Sequence, residues 1–194
     1  MDRQKLKLEQ TWAPERTAEY DALPFVPATP EKILDAIGQL AFTSLSVYGN
    51  CCRATLWAIQ IHLRREEAAT LRASAVLAGG ICGTGQTCGT VLGGLMAIGE
   101  SLGSEDFRDL AAYGLANERA KGFTDRVREV YGSTNCHEIQ KAIMGWCCDD
   151  PDKMGDWLEA GGPTACAGVC AQVAQIAAGM ILDYQASRED PGDA

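Results

Sequence analysis

Apolar side chains recur along most of this chain at the spacing of one helix face. The first such stripe is formed by Ile33, Ile37, Leu40 and Ala41. This i, i+3, i+4, i+7 spacing is typical of an amphipathic helix, whereas a half-buried strand alternates apolar and polar residues. The sequence contains no run of alternating Val, Ile or Thr. The pattern therefore predicts an all-α protein folded as a compact multi-helix bundle.

Residues that favour helix caps set the predicted limits of these helices. Thr29 and Pro30 suit the N-cap and first position of one helix, and Asn50 can cap the next. Ser104 and the two acids after it predict the start of a long helix, with a kink expected near Gly122. The predicted helices start at residue 30 and then cover residues 50–63, 66–77, 88–103, 104–131, 133–145 and 165–184.

The chain length of 194 residues suits a single domain that can bury its own core. Residues 1–28 carry prolines and mixed charges without periodicity, and we expect them to form an extended N-terminal arm. Residues 29–186 are predicted to form one helical, cysteine-rich redox domain. The polar residues 187–194 are predicted to be a frayed tail.

The charge balance restricts the partners. A formal net charge of −9 repels phosphate backbones and anionic membrane surfaces, so we expect no nucleic-acid partner. Residues 1–10 are polar and lack the apolar segment of a secretory leader, and the apolar runs look too interrupted to span a membrane. We therefore expect a cytoplasmic protein without membrane insertion.

Nine cysteines are an unusually high number for this length. In a reducing cytoplasm such cysteines are more often metal ligands or redox thiols than disulfides, and the odd count agrees with this. Capping signals place four of them in the first turn of four predicted helices: Cys51, Cys88, Cys136 and Cys166. The unpaired N–H groups and the dipole of a helix N-terminus stabilise a thiolate, which is the species that binds metal and attacks disulfides.

Two further features extend this candidate site. Cys166 and Cys170 are four residues apart on one helix face, so they could bind one metal together. The glycine-rich loop around Cys82 can bring backbone N–H groups close to an anionic cofactor. We assign that cofactor contact to Gly83, Gly85, Thr87 and Gly89.

Several motifs are absent from the sequence. There is no C-x-x-C and no C-x-x-C-H, which excludes rubredoxin-type knuckles, thioredoxin-like dithiols and covalently attached haem. No general acid–base pair or nucleophilic triad can be recognised either, so we assign no reaction and leave enzyme status open.

Four segments resemble the C-GCAxxG-C-C family of redox-active proteins. They are Asn50–Cys51, Thr87–Gly93, Tyr131–Cys136, and Cys170 with Ala177–Ala178. The resemblance spans about residues 45–183. It implies a helical domain with four signature cysteines, which are Cys51, Cys88, Cys136 and Cys170 in this chain.

The resemblance also implies a cofactor. A related domain occurs in split-Soret type cytochromes, where it is associated with an iron–sulfur centre as well as haem. Because this chain lacks haem-attachment motifs, only the iron–sulfur half of the analogy transfers. The chain adds five cysteines to the family pattern, and these could complete a larger cluster, form a second one or act as resolving thiols: Cys52, Cys82, Cys147, Cys148 and Cys166.

The leading hypothesis is an iron–sulfur protein that acts in electron transfer or cluster handling with a redox partner protein. Its predicted metal ligands are Cys51, Cys82, Cys88, Cys136, Cys166 and Cys170, and the cluster type stays open. The alternatives are a cluster-free thiol–disulfide oxidoreductase, or a zinc-binding accessory subunit that docks to a larger redox enzyme through its N-terminal arm. Small residues along the helix at 88–103 would allow close packing within the domain or across a homodimer.

Overall fold

The computed structural model describes residues 29–65 and 67–189. Over these residues the chain forms α-helices and no β-strand, which confirms the all-α prediction. The α-helices are α1 (Pro30–Tyr48), α2 (Cys51–Leu63), α3 (Ala68–Ala73), α4 (Gly89–Leu102), α5 (Leu110–Tyr131), α6 (Cys136–Met144), α7 (Met154–Glu159) and α8 (Gly162–Glu189). Short 3-10 turns follow α3 at Ser74–Val76 and precede α7 at Pro151–Lys153. The predicted N-terminal arm lies outside the described residues.

The core is built around α8, which packs against α1, α2 and α4. Fully buried core side chains include Ile37, Leu56, Ile98, Phe123, Val173 and Ile181. Helix α4 can lie directly against α2 because Gly93 has no side chain. A Cβ at this position would lie 2.5 Å from the carbonyl oxygen of Cys52. This close packing positions the starts of α2 and α4 next to each other.

Asparagine caps start two of the helices that matter for function. The Asn50 side chain accepts a hydrogen bond of 3.0 Å from the Arg53 amide at the start of α2. The Asn135 side chain does the same for the Glu138 amide at the start of α6, at 3.3 Å. Each cap satisfies an amide that the helix itself leaves unpaired, so the sequence fixes these two helix starts locally.

Several predicted helix boundaries are wrong. Helix α5 begins at Leu110, where Asp109 caps the Ala112 amide, and it runs past Gly122 without a break. Ser104 is not its cap; its hydroxyl instead accepts a hydrogen bond from the Asp106 amide at 3.2 Å, in the non-helical segment before α5. Helix α3 is shorter than expected, and α8 starts three residues before Ala165 and continues to Glu189. Residues 187–189 of the predicted tail therefore belong to α8, and residues 190–194 lie outside the described residues.

Helix α8 also bears on the membrane prediction. Its segment Gly162–Arg188 is long and apolar enough to cross a membrane, which corrects the expectation that every apolar run is too interrupted. However, 44% of its most apolar window is buried inside the fold, and the core helix of a soluble protein passes the same test. This is weak evidence either way, and the absence of membrane insertion stays a prediction.

Candidate redox centre

Five thiols meet in the interior of the fold, and we call them the thiol cluster: Cys51, Cys88, Cys136, Cys166 and Cys170. Each of these thiols is close enough to at least two of the others for the charge of one to shift the pKa of the other. The side chains of Cys88, Cys136 and Cys170 are buried, and those of Cys51 and Cys166 are half-buried. The fold thus brings together five of the six cysteines predicted as ligands.

Three members of the thiol cluster lie at helix starts, as predicted. Cys51 is the first residue of α2, Cys88 is the N-cap of α4, and Cys136 is the first residue of α6. Cys166 differs from the prediction, because α8 begins at Gly162 and Cys166 therefore lies one turn inside the helix. Cys170 lies a further turn along α8, on the same face.

A short antiparallel contact aligns the starts of α4 and α6. Thr87 and Asn135 form an isolated β-bridge. On either side of it, the Cys88 amide donates to the Thr134 carbonyl at 2.9 Å and the Cys136 amide donates to the Gln86 carbonyl at 2.6 Å. These two backbone bonds hold Cys88 and Cys136 side by side, although the two residues are far apart in sequence.

Cys88 and Cys136 form a hydrogen-bonded pair with unequal acidity. The hydrogen bond from Cys88, supported by one from the Gln140 side chain, lowers the pKa of the Cys136 thiol below its usual value. The same bond and burial raise the pKa of Cys88 well above its usual value. Cys136 is therefore the more acidic thiol of this pair.

Cys170 is a buried thiol with protein partners on several sides. Its Sγ hydrogen-bonds with Thr55 Oγ1 at 3.0 Å, accepts from Thr90 Oγ1 at 3.6 Å and donates to the Cys51 carbonyl at 3.4 Å. Burial nevertheless raises the pKa of Cys170 to about 12. Without a cation nearby, this thiol keeps its proton at neutral pH.

Cys51 fits into the cluster only because residue 89 is glycine. A Cβ at Gly89 would lie 2.6 Å from Cys51 Sγ and 2.9 Å from the Leu77 carbonyl oxygen. Burial, followed by the charge of Cys88, raises the pKa of Cys51, and a hydrogen bond with the Gly79 backbone opposes that rise. Gly89, one of the residues predicted to contact a cofactor, thus makes room for a thiol.

The glycine-rich loop faces α6 with its carbonyls. Gly85 and Gln86 accept hydrogen bonds from the first two amides of α6, those of His137 and Cys136. The amides of Gly83 and Gly85 are engaged within the loop, where they donate to Ala78 and Gly79 at 3.1 Å and 3.0 Å. These amides would have to leave those partners to reach a cofactor, so the predicted cofactor role of Gly83, Gly85 and Thr87 remains untested.

Cys82 stands outside the buried thiol cluster. Its side chain is exposed, its backbone is in the left-handed region at φ 54°, and its thiol donates to the Val76 carbonyl at 3.1 Å. Cys52, in contrast, is fully buried beside the cluster, and burial followed by the charges of Cys51 and Cys170 raises its pKa to about 12. Cys147 and Cys148 form a separate pair after α6.

The potential metal ligands in the thiol cluster are all cysteine sulfurs. The side chains that hydrogen-bond to these sulfurs are neutral, namely Thr55, Thr90 and Gln140. Over residues 29–65 and 67–189, no three His, Cys, Asp or Glu side chains are already arranged to hold one metal ion. The described thiols therefore offer the soft ligands that iron–sulfur chemistry uses, in an arrangement that a metal would have to rearrange.

A family model described as "Putative redox-active protein (C_GCAxxG_C_C)" matches residues 49–180, about two thirds of the chain. The chain belongs to the C_GCAxxG_C_C family. The match covers the whole thiol cluster and confirms the resemblance seen in the four cysteine-containing segments. The family is described as redox-active, so redox chemistry is the class of activity that the match indicates. No curated protein and no solved structure matches the chain.

Proposed function

We propose that this C_GCAxxG_C_C protein carries an iron–sulfur cluster on its thiol cluster and acts in electron transfer or cluster handling. The observation that carries the proposal is the meeting of Cys51, Cys88, Cys136 and Cys170, from four different helices, at one buried place. Iron–sulfur clusters are commonly held by four cysteine thiolates, and no carboxylate competes among the hydrogen-bond partners of these sulfurs. Cys166 is the fifth member of the thiol cluster and is not required as a ligand when the other four bind the iron–sulfur cluster.

The residues around the four sulfurs suit a negatively charged group. The N-termini of α2, α4 and α6 begin at or next to Cys51, Cys88 and Cys136, and each carries the positive end of a helix dipole. Hydroxyl and amide donors next to the sulfurs, such as those of Thr90 and Gln140, can tune a reduction potential. When bound, the cluster would supply one-electron chemistry, while burial keeps water away from it.

Binding requires the thiols to change partners. Cys170 would have to turn away from Thr55, and Cys136 from Cys88. The raised pKa of Cys51, Cys88 and Cys170 means that their protons must leave when a metal binds. Loading should therefore release protons.

A second candidate function is thiol–disulfide exchange, and the hydrogen bond between Cys88 and Cys136 favours it specifically. The Cys136 thiolate would attack one sulfur of a partner disulfide and displace the other as a thiolate. The displaced partner thiolate would take the proton of Cys88, and Cys88 would then attack Cys136 Sγ. This forms the Cys88–Cys136 disulfide and releases the partner's second sulfur as a thiolate. Two cysteines are oxidised and one disulfide is reduced.

The cellular setting is part of the proposal. All nine cysteines are free thiols in the structure, which suits a reducing compartment such as the cytoplasm. We likewise propose a redox partner protein and a homodimer.

The deciding experiment is iron and acid-labile sulfide analysis, with a visible spectrum, of protein purified without oxygen. We expect iron, sulfide and visible absorbance, all lost in Cys88→Ser and Cys136→Ser and retained in the matched control Cys82→Ser. Loss in Cys82→Ser as well would restore the six-ligand set predicted from sequence. Anaerobic protein without iron or sulfide would overturn the cluster. In that case disulfide exchange abolished by Cys136→Ser would support the second candidate, and bound zinc would support an accessory subunit.

A further inference from the structure

A second pair of thiols lies outside the thiol cluster. Cys147 and Cys148 are neighbours in the non-helical segment between α6 and the turn at Pro151–Lys153. Cys147 is 7% exposed and Cys148 is half-buried, so the pair reaches the surface through Cys148. Neither residue belongs to the four signature cysteines.

One buried side chain connects this pair to the thiol cluster. Gln140, which is 7% exposed, donates from Nε2 to Cys136 Sγ at 3.3 Å. Its other amide atom, Oε1, accepts from the backbone amide of Cys148 at 2.9 Å. A buried amide is stable only if its polar atoms are paired, and the two ends of Gln140 are paired with the two thiol sites.

The surroundings of the pair are charged on both sides. Asp149 and Asp150 follow it in the chain, and Lys153 lies 3.4 Å from Asp149. From α6, Lys141 interacts with Cys147 and His137 interacts with Asp149. Cys148 Sγ has one weak partner, the Asp150 carbonyl at 3.7 Å, so its thiol is little restrained.

We propose that Cys147 and Cys148 form a second redox site, a vicinal dithiol that reduces small disulfides at the surface, and that Gln140 transmits its oxidation state to Cys136. The proposal rests on adjacency, exposure and the two bonds of Gln140. It does not depend on whether the thiol cluster carries a metal.

The exchange uses a low-molecular-weight disulfide as its oxidant. Burial, followed by the charge of Asp149, raises the pKa of Cys148, so the exchange should be faster at alkaline pH. Once Cys148 has lost its proton to solvent, it attacks one sulfur of that disulfide, forms a mixed disulfide and displaces the first small thiolate. Cys147 then gives its proton to water and attacks Cys148 Sγ, which closes the Cys147–Cys148 bond and releases the second small thiolate. Two protein thiols are oxidised and one small disulfide becomes two thiols.

Closing this bond must disturb Gln140. A disulfide between neighbouring residues forms a small ring through the peptide bond that joins them, and that peptide carries the Cys148 amide. The amide that now donates to Gln140 Oε1 therefore has to reorient. Gln140 can then no longer hold its present position against Cys136 Sγ.

Tryptic peptides read the proposed oxidation directly. Peptide 142–153 contains Cys147 and Cys148 and no other cysteine. The folded full-length protein is incubated with oxidised glutathione without oxygen, and free thiols are blocked before digestion. We expect this peptide to lose two hydrogens and take up no blocking reagent. Cys147→Ser should instead leave glutathione on Cys148, and Cys148→Ser should abolish the exchange. If the native protein forms no bond in peptide 142–153, or forms it only in denaturant, the second redox site is disproved.

The transmission to Cys136 has its own readout. Peptide 129–141 contains Cys136 as its sole cysteine, so the alkylation rate of Cys136 can be followed separately after any metal is removed with a chelator. We expect the rate to differ by on the order of fivefold between protein with the pair reduced and protein with it oxidised, as for loss of one hydrogen bond. In Gln140→Met, which keeps the side-chain length, the two states should react alike. Equal rates in the unmodified protein would rule out transmission while leaving the exchange itself intact.

Discussion

Cys88 lies within hydrogen-bonding reach of Cys136, and of these two buried thiols only Cys136 has a lowered pKa. The asymmetry arises because the bond favours the charged form of its acceptor and the neutral form of its donor. The two thiols of this pair therefore differ in acidity, which matters both for metal binding and for disulfide exchange.

Removal of the Cys88 donor should make Cys136 less acidic. In metal-free Cys88→Ala, the pKa of Cys136 should rise, because the hydrogen bond that lowers it most is gone. The measurement is the pH profile of alkylation of peptide 129–141, which should shift to higher pH. Cys52→Ala is the matched control, since it also removes a buried thiol but no bond to Cys136. An unshifted profile in Cys88→Ala would show that Gln140 alone sets this acidity.

The space at residue 89 predicts a large difference between two glycine substitutions in α4. Gly89→Ala should cost about 1–3 kcal/mol of unfolding free energy, because the new Cβ meets Cys51 Sγ and the rigid Leu77 carbonyl. Gly99→Ala in the same helix has no atom within 4 Å of its Cβ and should be neutral or stabilising, by up to about 1 kcal/mol. Urea unfolding of both variants measures this. Equal effects would mean that the approach of Cys51 to α4 is not as close as described.

The hydroxyl groups around Cys170 should contribute unequally to stability. Thr55→Val removes the 3.0 Å partner of a fully buried sulfur and should lower the unfolding free energy by about 1 kcal/mol. Thr90→Val removes a longer contact of 3.6 Å and should cost less. Thermal unfolding of the two variants under identical conditions gives the order. The reverse order would identify Thr90 as the main partner of Cys170.

Glu100 should make stability depend on pH in one direction. Partial burial, opposed by bonds from Thr70 and Gln60, raises its pKa above 4.5 in the fold, so the folded state holds the proton more tightly than the unfolded state. The contribution of Glu100 to the unfolding free energy is therefore fully present below pH 4.5, and it is lost as the pH rises through the raised pKa of the folded state. Glu100→Gln keeps an acceptor for Gln60 and cannot ionise.

Urea unfolding at pH 4 and pH 7 tests this sign. The unfolding free energy of Glu100→Gln, relative to the natural protein, should be higher at pH 7 than at pH 4. A difference that does not change with pH would show that Glu100 titrates alike in the folded and unfolded chain.

The sequence predicted the helix starts of the site well, because their causes are local. Asn50 and Asn135 are strong caps, and each directly precedes a cysteine of the thiol cluster. The predicted start of α5 is wrong since Ser104 and Asp109 are both good caps, and each accepts a backbone amide: Ser104 that of Asp106 and Asp109 that of Ala112. Local signals cannot choose between two adequate caps.

The arrangement of the site was less predictable because it depends on long-range contacts. The backbone bonds at Gln86 and Thr134 that align Cys88 with Cys136 have no signature in the sequence. Cys82 is exposed, and Ile81 and Cys82 both have left-handed backbone angles, where glycine would be the usual residue, so the sequence does not predict this conformation. Gln140 was missed altogether, since a glutamine on a short helix gives no signal until both of its partners are located.

The thiol cluster draws its members from both ends of the domain, and this has a consequence for synthesis. Cys51 and Cys88 leave the ribosome early, whereas Cys166 and Cys170 belong to the last helix. Because the sulfur that Thr55 and Thr90 contact belongs to Cys170 of α8, a nascent chain cannot assemble the centre before α8 has been synthesised. An interrupted chain would therefore expose its early thiols without ever forming the place where they are used.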